Sequence, residues 1–380
     1  MTIDPVVRFR SDIEKLSPSS DLYATTFVEK LLALAIELGA SDIHLQPTAG
    51  KLTIDLRIDG VLQSVGLFSA GTSTDIIARL KVLAKLLTYR TDVPQEGRLH
   101  DPAQAIEMRI STFPTMAGER AVVRLFAPRG KLRTLGELEF SADVLRQLHD
   151  WLAQSSGAIL LTGPAGSGKS TTAYAALRHV ASNSTMRRSI LTLEDPIEVV
   201  VEGAVQSQVQ PSAGFTLATG LRSLLRQDPE VIMVGEVRDR ETVETLIQAS
   251  LTGHLVVSTF HAGSTADALC RLLDLGIEPY LVRSAIRGLW HQRLLRRRAA
   301  ESMDYAGRFP IVEVLPPLEG ELAKKLLARS DAREIQQASL CAGMIPLRSR
   351  AEEALASGRT DLAEIVRVLG ISAGDPPTIE

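Results

Sequence analysis

The chain has 380 residues, and at about 100–200 residues per domain that length points to two or three domains with sizeable cores. Its 42 Lys and Arg against 45 Asp and Glu leave a formal net charge of −3, which excludes a general nucleic-acid binder of high pI and keeps any basic surface local. The two cysteines, Cys270 and Cys341, lack the spacing of a metal knuckle or a disulfide framework. A cysteine-built zinc site is thereby excluded and a reducing compartment is expected.

No apolar run reaches the ~18–20 residues of a spanning helix, and the first residues lack the apolar centre of a secretory signal. A cytoplasmic chain is expected, with at most peripheral membrane contact. Residues 1–20 are polar, carry Pro5 and Pro18, and are expected to form a short tail. From residue 22 to 38 apolar side chains recur at three and four spacing (Phe27, Leu31, Leu34, Ala35, Leu38) and Gly39 follows, which predicts an amphipathic helix with a glycine stop. Alternating segments at 42–46 and 52–58 predict strands, the second running into the hairpin signal Asp59-Gly60. A helix over 73–87 and strands over 105–110 and 121–125 complete an α+β domain, 21–127. Residues 127–133 concentrate Pro, Gly and charge, so a linker is expected over 128–141.

Beyond it, short apolar β-rich runs at 158–161, 189–193, 231–234 and 255–258 alternate with helical patterns. That alternation predicts an α/β domain over 142–298, with a parallel sheet covered on both faces. An α-rich C-terminal part, 299–380, is expected, with helices near 321–327 and 362–369.

The strand at 158–161 is followed by Gly163-Pro164-Ala165-Gly166-Ser167-Gly168-Lys169-Ser170, then Thr171 and a helix-prone segment. This is a complete P-loop pattern in its required strand, loop and helix context. The glycines let the backbone curl so that successive N–H groups face phosphate oxygens, and the helix adds its positive end. Lys169 supplies a point charge for the β and γ phosphates, and Ser170 a hydroxyl for Mg²⁺. The implied ligands are ATP or a similar nucleoside triphosphate, and Mg²⁺.

Two further strands end in acids. Glu236 follows the run 231–234 and Gly235; beside the P-loop strand it would meet Mg²⁺, and otherwise it is an N-terminal acid of the next helix. Glu194 precedes Asp195 and Pro196 at the end of 189–193; it is either the carboxylate that orients or deprotonates the attacking water, or part of a capped turn. His254 and His261 bracket the strand 255–258, seven residues apart, too far along an extended chain to share a metal. His261 can sense the γ-phosphate by hydrogen bond; His254 is divided between that role and a satisfied core histidine. The basic run Arg293-Leu294-Leu295-Arg296-Arg297-Arg298 suggests either a solvated helix end or contact with acidic lipid headgroups.

GPAGSGKST, TLEDPIE, LRSLLRQDPEVIMVGEVRDRET and LTGHLVVSTFH, in this order, resemble the Walker A, Asp-box, Walker B and His-box segments of the type II secretion and type IV pilus assembly ATPases. GASDIHLQP, LRIDG, PQEGRL and MRISTFPTMAGERAVVRLF upstream, and GRFPIVEVL and DLAEIVRVLG downstream, extend the resemblance from about residue 21 to 371. It implies a PAS-like N-terminal α+β domain joined to a RecA-like P-loop ATPase domain with an α-rich C-terminal subdomain. It further implies a homohexameric motor at the cytoplasmic face of the inner membrane, with ATP between the two domains. Such a motor drives a polytopic platform protein. Arg98, Arg109 and Arg124 stand on the matching arginine-bearing segments and are expected to bring charge to the γ-phosphate, or else to pair with surface acids. The additional N-terminal module and the four-cysteine zinc insert of many secretion members are expected to be missing, and no zinc is expected. A pilus, competence or divergent secretion system is then equally open; the segment RSLLRQDPE favours assembly over retraction. A nucleic-acid motor is the alternative of another class, disfavoured by the −3 charge and by the 4% aromatic content.

Overall fold

The computed structural model describes residues 4–48, 50–69, 73–101, 106–126, 133–183, 187–299 and 304–371. The chain divides into two compact units, Met1–Lys131 and Leu132–Glu380. The start of the expected linker, residues 128–132, lies outside the described residues. Its end does not: residues 135–138 form a short 3₁₀ turn that buries Leu135 and Leu138 in the second unit.

The first unit comprises α1 (Pro5–Glu14), α2 (Tyr23–Glu37), β1 (Asp42–Thr48), β2 (Lys51–Ile58), β3 (Val61–Ser69), α3 (Ser73–Leu83), β4 (Gln95–Asp101), β5 (Ile106–Thr115) and β6 (Gly118–Leu125). Helix α1 corrects the expected tail. Asp4 caps it, accepting from the Val6 amide at 2.7 Å, and Pro5 fits a first turn that needs no intrahelical N–H. Phe9 and Ile13 are buried, with the Phe9 ring edge-on to Phe27 at 5.7 Å and to Phe68 at 6.0 Å. A stripe of two or three apolar residues in a polar stretch is too short to register as periodicity, yet it covers the end of a core.

The six strands form one antiparallel sheet in the order β3-β2-β1-β6-β5-β4. Asp59 and Gly60 both take positive φ, 50° and 82°, as a two-residue hairpin with matching twist requires. One sheet face carries Ile43, Leu45, Ile54, Leu56, Ile110, Ala121 and Val123, all buried in one core with Phe27, Leu31, Ile76 and Leu80 of the helices. Edge strands β3 and β4 escape the sequence pattern because β3 buries only Val65 and β4 is mostly polar.

Under the sheet Lys81 is fully buried, its ammonium donating to both Glu119 oxygens at 2.8 and 2.9 Å and to Arg90 O at 2.7 Å. Glu119→Ala strands that charge and is expected to destabilise the unit by about 3–5 kcal/mol in urea unfolding, whereas a Lys81→Met/Glu119→Leu pair recovers most of the loss.

The second unit comprises α4 (Ala142–Leu152), β7 (Gly157–Thr162), α5 (Lys169–Ala181), β8 (Ile190–Glu194), β9 (Val205–Gln208), α6 (Leu217–Leu224), β10 (Val231–Val237), α7 (Arg240–Leu251), β11 (Leu255–Phe260), α8 (Thr265–Asp274), α9 (Pro279–Ala285), β12 (Ile286–Arg298), β13 (Tyr305–Val314), α10 (Gly320–Leu327), α11 (Ala332–Cys341), α12 (Leu347–Ala356) and α13 (Leu362–Leu369). The sheet order is β13-β12-β7-β11-β10-β8-β9, parallel throughout except for β13 against β12. Helices α6 to α11 cover one face and α4 and α5 the other, each over its own apolar core. The C-terminal segment is therefore not purely helical: β13 joins the sheet, and α12 and α13 pack on the far end of β12 and β13.

The basic run 293–298 lies on β12 and not at a helix end. Arg296 pairs with buried Glu364 at 2.8 Å and stacks on Tyr305, 3.7 Å from its ring centre, while Arg297 pairs with Glu139. These charges fasten α13 and the 3₁₀ turn to the strand, so the structure gives no support to a free lipid-binding patch here.

Candidate nucleotide site

Four strand ends share the C-terminal edge of the parallel sheet, where ligands of open α/β folds sit. There β7 turns into the P-loop, β11 delivers His261, β10 delivers Glu236 and β8 delivers Glu194. The expected adjacency of β10 and the P-loop strand is corrected: β11 lies between them, Thr162 facing Phe260 and Ser258 facing Val234. Both apolar runs are buried strands of similar composition, and nothing local to either sets their lateral order.

Gly163, Gly166 and Gly168 have φ of +145°, +74° and +88°, a region side-chain-bearing residues avoid. Gly166 faces open space, so its requirement is conformational alone. A Cβ at Gly163 would stand 2.5 Å from Gln292 O, and one at Gly168 would stand 2.7 Å from Gln292 Nε2. Lys169 is buried, and its ammonium donates to Gly163 O at 2.8 Å and Pro164 O at 2.9 Å. Burial pulls its pKa below the ordinary lysine value, and the negative charge of Glu236 opposes that shift. Ser170 and Thr171 occupy the first turn of α5, where backbone N–H groups have no intrahelical acceptor. Pro164 is half-buried and Ala165 exposed at the tip, while Ser167 Oγ is buried with no hydrogen-bond partner among the described residues.

Glu236 sits on a bulge. Three steps on β10, from Val234 to Val237, face two on β11, from Ser258 to Phe260, and such an insertion re-aims side chains. The displaced carbonyls are taken up by β11: Ser258 Oγ donates to Val234 O at 2.8 Å and Thr259 Oγ1 to Gly235 O at 2.7 Å. The Glu236 side chain remains 23% exposed, lies 2.9 Å from His261 Nε2 and accepts from Arg238 at 2.7 Å. It does not cap α7, because Asp239 does so through the Thr242 amide at 2.9 Å.

Glu194 differs sharply in surroundings, being 1% exposed. Its carboxylate accepts from Thr192 Oγ1, from Gln206 Nε2 at 2.9 Å and from the Tyr174 hydroxyl. Tyr174 belongs to α5 and also accepts from the Glu198 amide at 3.2 Å; burial and this carboxylate raise its pKa far above the usual phenol value. Glu194 thus ties the P-loop helix to β8 and β9. Gly235 brings the two acidic strand ends together, since a Cβ there would lie 3.4 Å from Glu194 Cα.

His261 is half exposed against Glu236. His254 has no such role: its Nδ1 lies 2.9 Å from Ala249 O, donating to a carbonyl at the end of α7, which makes it a helix-terminating residue. Three participants carried no sequence motif: Tyr174, His291 and Gln292. His291 is fully buried, hydrogen-bonded through Nδ1 to Thr162 Oγ1 at 3.0 Å, and burial, reinforced by Arg293 and Lys169, lowers its pKa to about 3. It is a neutral ring at physiological pH. The available signal was the polar pair His291-Gln292 directly after the apolar Leu289-Trp290.

In the first unit the three arginines stand abreast. Arg98 faces Arg109, Arg109 faces Arg124, Arg124 faces Asp42 and Asp42 faces Arg57, one residue from each of five neighbouring strands on the polar face of the sheet. Arg98 lies 3.4 Å from Glu107, Arg109 pairs with Glu96, and Arg124 lies 2.9 Å from Asp42. Their side chains are 59%, 50% and 64% exposed, so the Arg98 and Arg109 pairs are weak and exchangeable, whereas Arg124 holds the buried Asp42. Arg57, the fourth member of the row, was not singled out in the sequence.

Among the described residues no three His, Cys, Asp or Glu side chains form a protein-built metal centre. A Mg²⁺ carried by a nucleotide needs only one or two protein oxygens. The Ser170 hydroxyl and the Glu236 carboxylate are hard oxygen donors of that kind, and they fit.

A P-loop lysine and strand-end carboxylates on a two-sided parallel sheet define a RecA-like P-loop protein of the secretion-ATPase fold. The chain belongs to the family described as "Type II/IV secretion system protein", whose model matches residues 19–367. It is 45% identical over 286 residues to the "Type II secretion system ATPase E" of Vibrio cholerae, covering 74% of this chain and 56% of that protein. It is 36% identical to the "Type II secretion system protein E" of Xanthomonas campestris, covering 97% and 71%, and 34% identical to the "Type IV pilus assembly ATPase TfpB" of Acinetobacter baylyi, covering 93% and 67%. The chain thus spans little more than half the length of the Vibrio relative. Among solved structures it resembles the pilus retraction motor PilT with bound ADP, with a TM-score of 0.63 and 26% identity over 92% of this chain and 98% of that one. The Legionella pneumophila ATPase DotB, with a TM-score of 0.70 and 24% identity over 89% and 94%, shares the fold. Among the described residues no helix is long and apolar enough to cross a membrane.

Proposed function

We propose that the chain is a Mg²⁺-dependent ATPase acting as a hexameric motor on the cytoplasmic side of the inner membrane. It would power assembly of a type II secretion pseudopilus or a type IV pilus through a polytopic platform protein. The observation that carries the activity is the buried Lys169 on its loop carbonyls, within electrostatic reach of Glu236 at the same sheet edge. A desolvated ammonium beside backbone N–H groups is a site built for polyphosphate. When bound, Mg²⁺ would neutralise phosphate charge, held by Ser170 and Glu236. Glu236 and His261 would hold the attacking water or its proton, and Arg98, Arg109 and Arg124 would bring positive charge to the phosphates.

The test is ATP turnover and mass in solution. The purified chain is expected to hydrolyse ATP slowly and only with Mg²⁺, and to form hexamers with nucleotide in light scattering; a monomer at every concentration would overturn the ring. Arg109→Ala, at the centre of the arginine row, is expected to slow turnover roughly ten- to a hundredfold, less than loss of a lone arginine finger because its neighbours share the charge. Turnover that rises steeply with DNA at low salt would favour the nucleic-acid motor instead. A retraction motor is the second reading, favoured by the likeness to PilT; deletion would then cause surface fibres to accumulate, whereas loss of an assembly motor removes them.

A further inference from the structure

Strand β12 outruns the strand beside it. Its ladder with β7 ends where His291 faces Thr162, the point at which β7 breaks into the P-loop, and β12 continues to Arg298. Gln292 is therefore the first β12 residue past the ladder, level with the loop, and it is 2% exposed. Its Nε2 donates to Ser167 O at 2.7 Å, while its Oε1 accepts from Thr172 Oγ1 at 3.0 Å and from Trp290 Nε1 at 3.1 Å. An indole N–H only donates, so Trp290 fixes which end of the amide is oxygen and leaves the nitrogen for the loop. The amide is held at one end by β12 and α5 and grips the loop with the other.

What it grips is one peptide plane. In a trans peptide the C=O and the following N–H point in opposite directions, so anchoring Ser167 O on Gln292 turns the Gly168 N–H away from β12. N–H groups of this loop are those that meet phosphate oxygens. The same residue also closes in on two glycines of the loop, its carbonyl on Gly163 and its amide on Gly168, so a side chain at either position would collide with it. Thr172 links the grip to the first turn of α5, whose N–H groups serve the same anion.

We infer that Gln292 is a positioning residue of the nucleotide site, one that presets the Ser167–Gly168 peptide so that the Gly168 N–H is offered to a phosphate before nucleotide arrives. The inference rests on the nucleotide-binding reading of the loop and adds a residue from outside its motifs. Preorganisation of this kind acts on ground-state binding. It sets the affinity for nucleotide and leaves the chemical step to Glu236 and its neighbours.

The experiment is ADP binding by calorimetry on the full chain, with KM and kcat for ATP and the nucleotide-free melting temperature measured alongside. Two variants are compared with the unmodified chain. Gln292→Met keeps the volume and cannot donate; Gln292→Leu also cannot donate and brings no charge near the phosphates. Misplacing one charge-assisted hydrogen bond corresponds to about tenfold in affinity. Both variants are expected to bind ADP about tenfold more weakly and to raise KM similarly, with kcat within about threefold, and to melt a few degrees lower without nucleotide because buried partners of Gln292 are left unpaired. Unchanged ADP affinity in a folded variant, or lowered melting with unchanged affinity, would overturn the assignment. Failure of both variants to fold would make Gln292 a residue of the fold and overturn it as well. If the unmodified chain binds no ADP, the nucleotide reading itself falls, a result distinct from equal binding by all three proteins.

Discussion

Lys169→Ala is expected to cut ATP turnover roughly a thousandfold and to abolish the thermal shift that ADP gives the unmodified chain. The nucleotide-free protein should melt at nearly the same temperature. In the structure Lys169 is a desolvated cation whose donors rest on the Gly163 and Pro164 carbonyls. Burial disfavours its charged form, and two loop carbonyls with a partial countercharge from Glu236 are modest compensation. Alanine removes both the cost and the compensation, so folding changes little. What disappears is the gain on binding, when phosphate oxygens replace carbonyls as partners of the ammonium. A large fall in nucleotide-free stability, with ADP still binding, would show that Lys169 serves the fold.

Glu236→Gln is expected to separate binding from chemistry: ADP affinity within about threefold of the unmodified chain, and turnover lower by roughly 10²–10⁴. The amide keeps an oxygen for Arg238 or His261 and loses the charge that Mg²⁺ and a water proton require. Glu194→Gln is the discriminating companion. Glu194 is enclosed by Thr192, Gln206 and Tyr174, and a group already accepting three hydrogen bonds is poorly placed to take a proton from water. It is expected to lose turnover by about tenfold, through a shifted Tyr174 and P-loop helix, with a rise in KM. If Glu194→Gln instead removes turnover as completely as Glu236→Gln with KM unchanged, Glu194 is the group that activates water. Single-turnover kinetics on the two variants decides the division of labour between them.

Much of the fold was legible because its elements carry strong local signals. Helix α2, strands β1 and β2, the Asp59-Gly60 turn and the four central strands of the second unit follow from periodicity and turn chemistry. The weak elements follow from neither. β3 and β4 are sheet edges with little to bury, and α1 has a stripe of only two or three apolar residues. β12 reads as a helix end because its arginines resemble a charged helix terminus, yet their partners are Glu139 and Glu364, far along the chain.

The phosphate loop was determined by the sequence alone, since its chemistry is backbone chemistry over eight consecutive residues and every requirement, including glycine, lysine and the hydroxyl, is written locally. Glu236 and Glu194 were visible for a similar reason, as charges that an apolar strand has no use for. Only the tertiary structure decided which of these acids is reachable, that β11 stands between β7 and β10, and that arginines from three hairpin strands align in one row with Arg57. Only it showed that Gln292, more than a hundred residues beyond the loop, completes the loop's geometry. Lateral strand order and cross-strand register join residues that share no local pattern. They are set by the packing of the whole sheet, so no segment read by itself contains them.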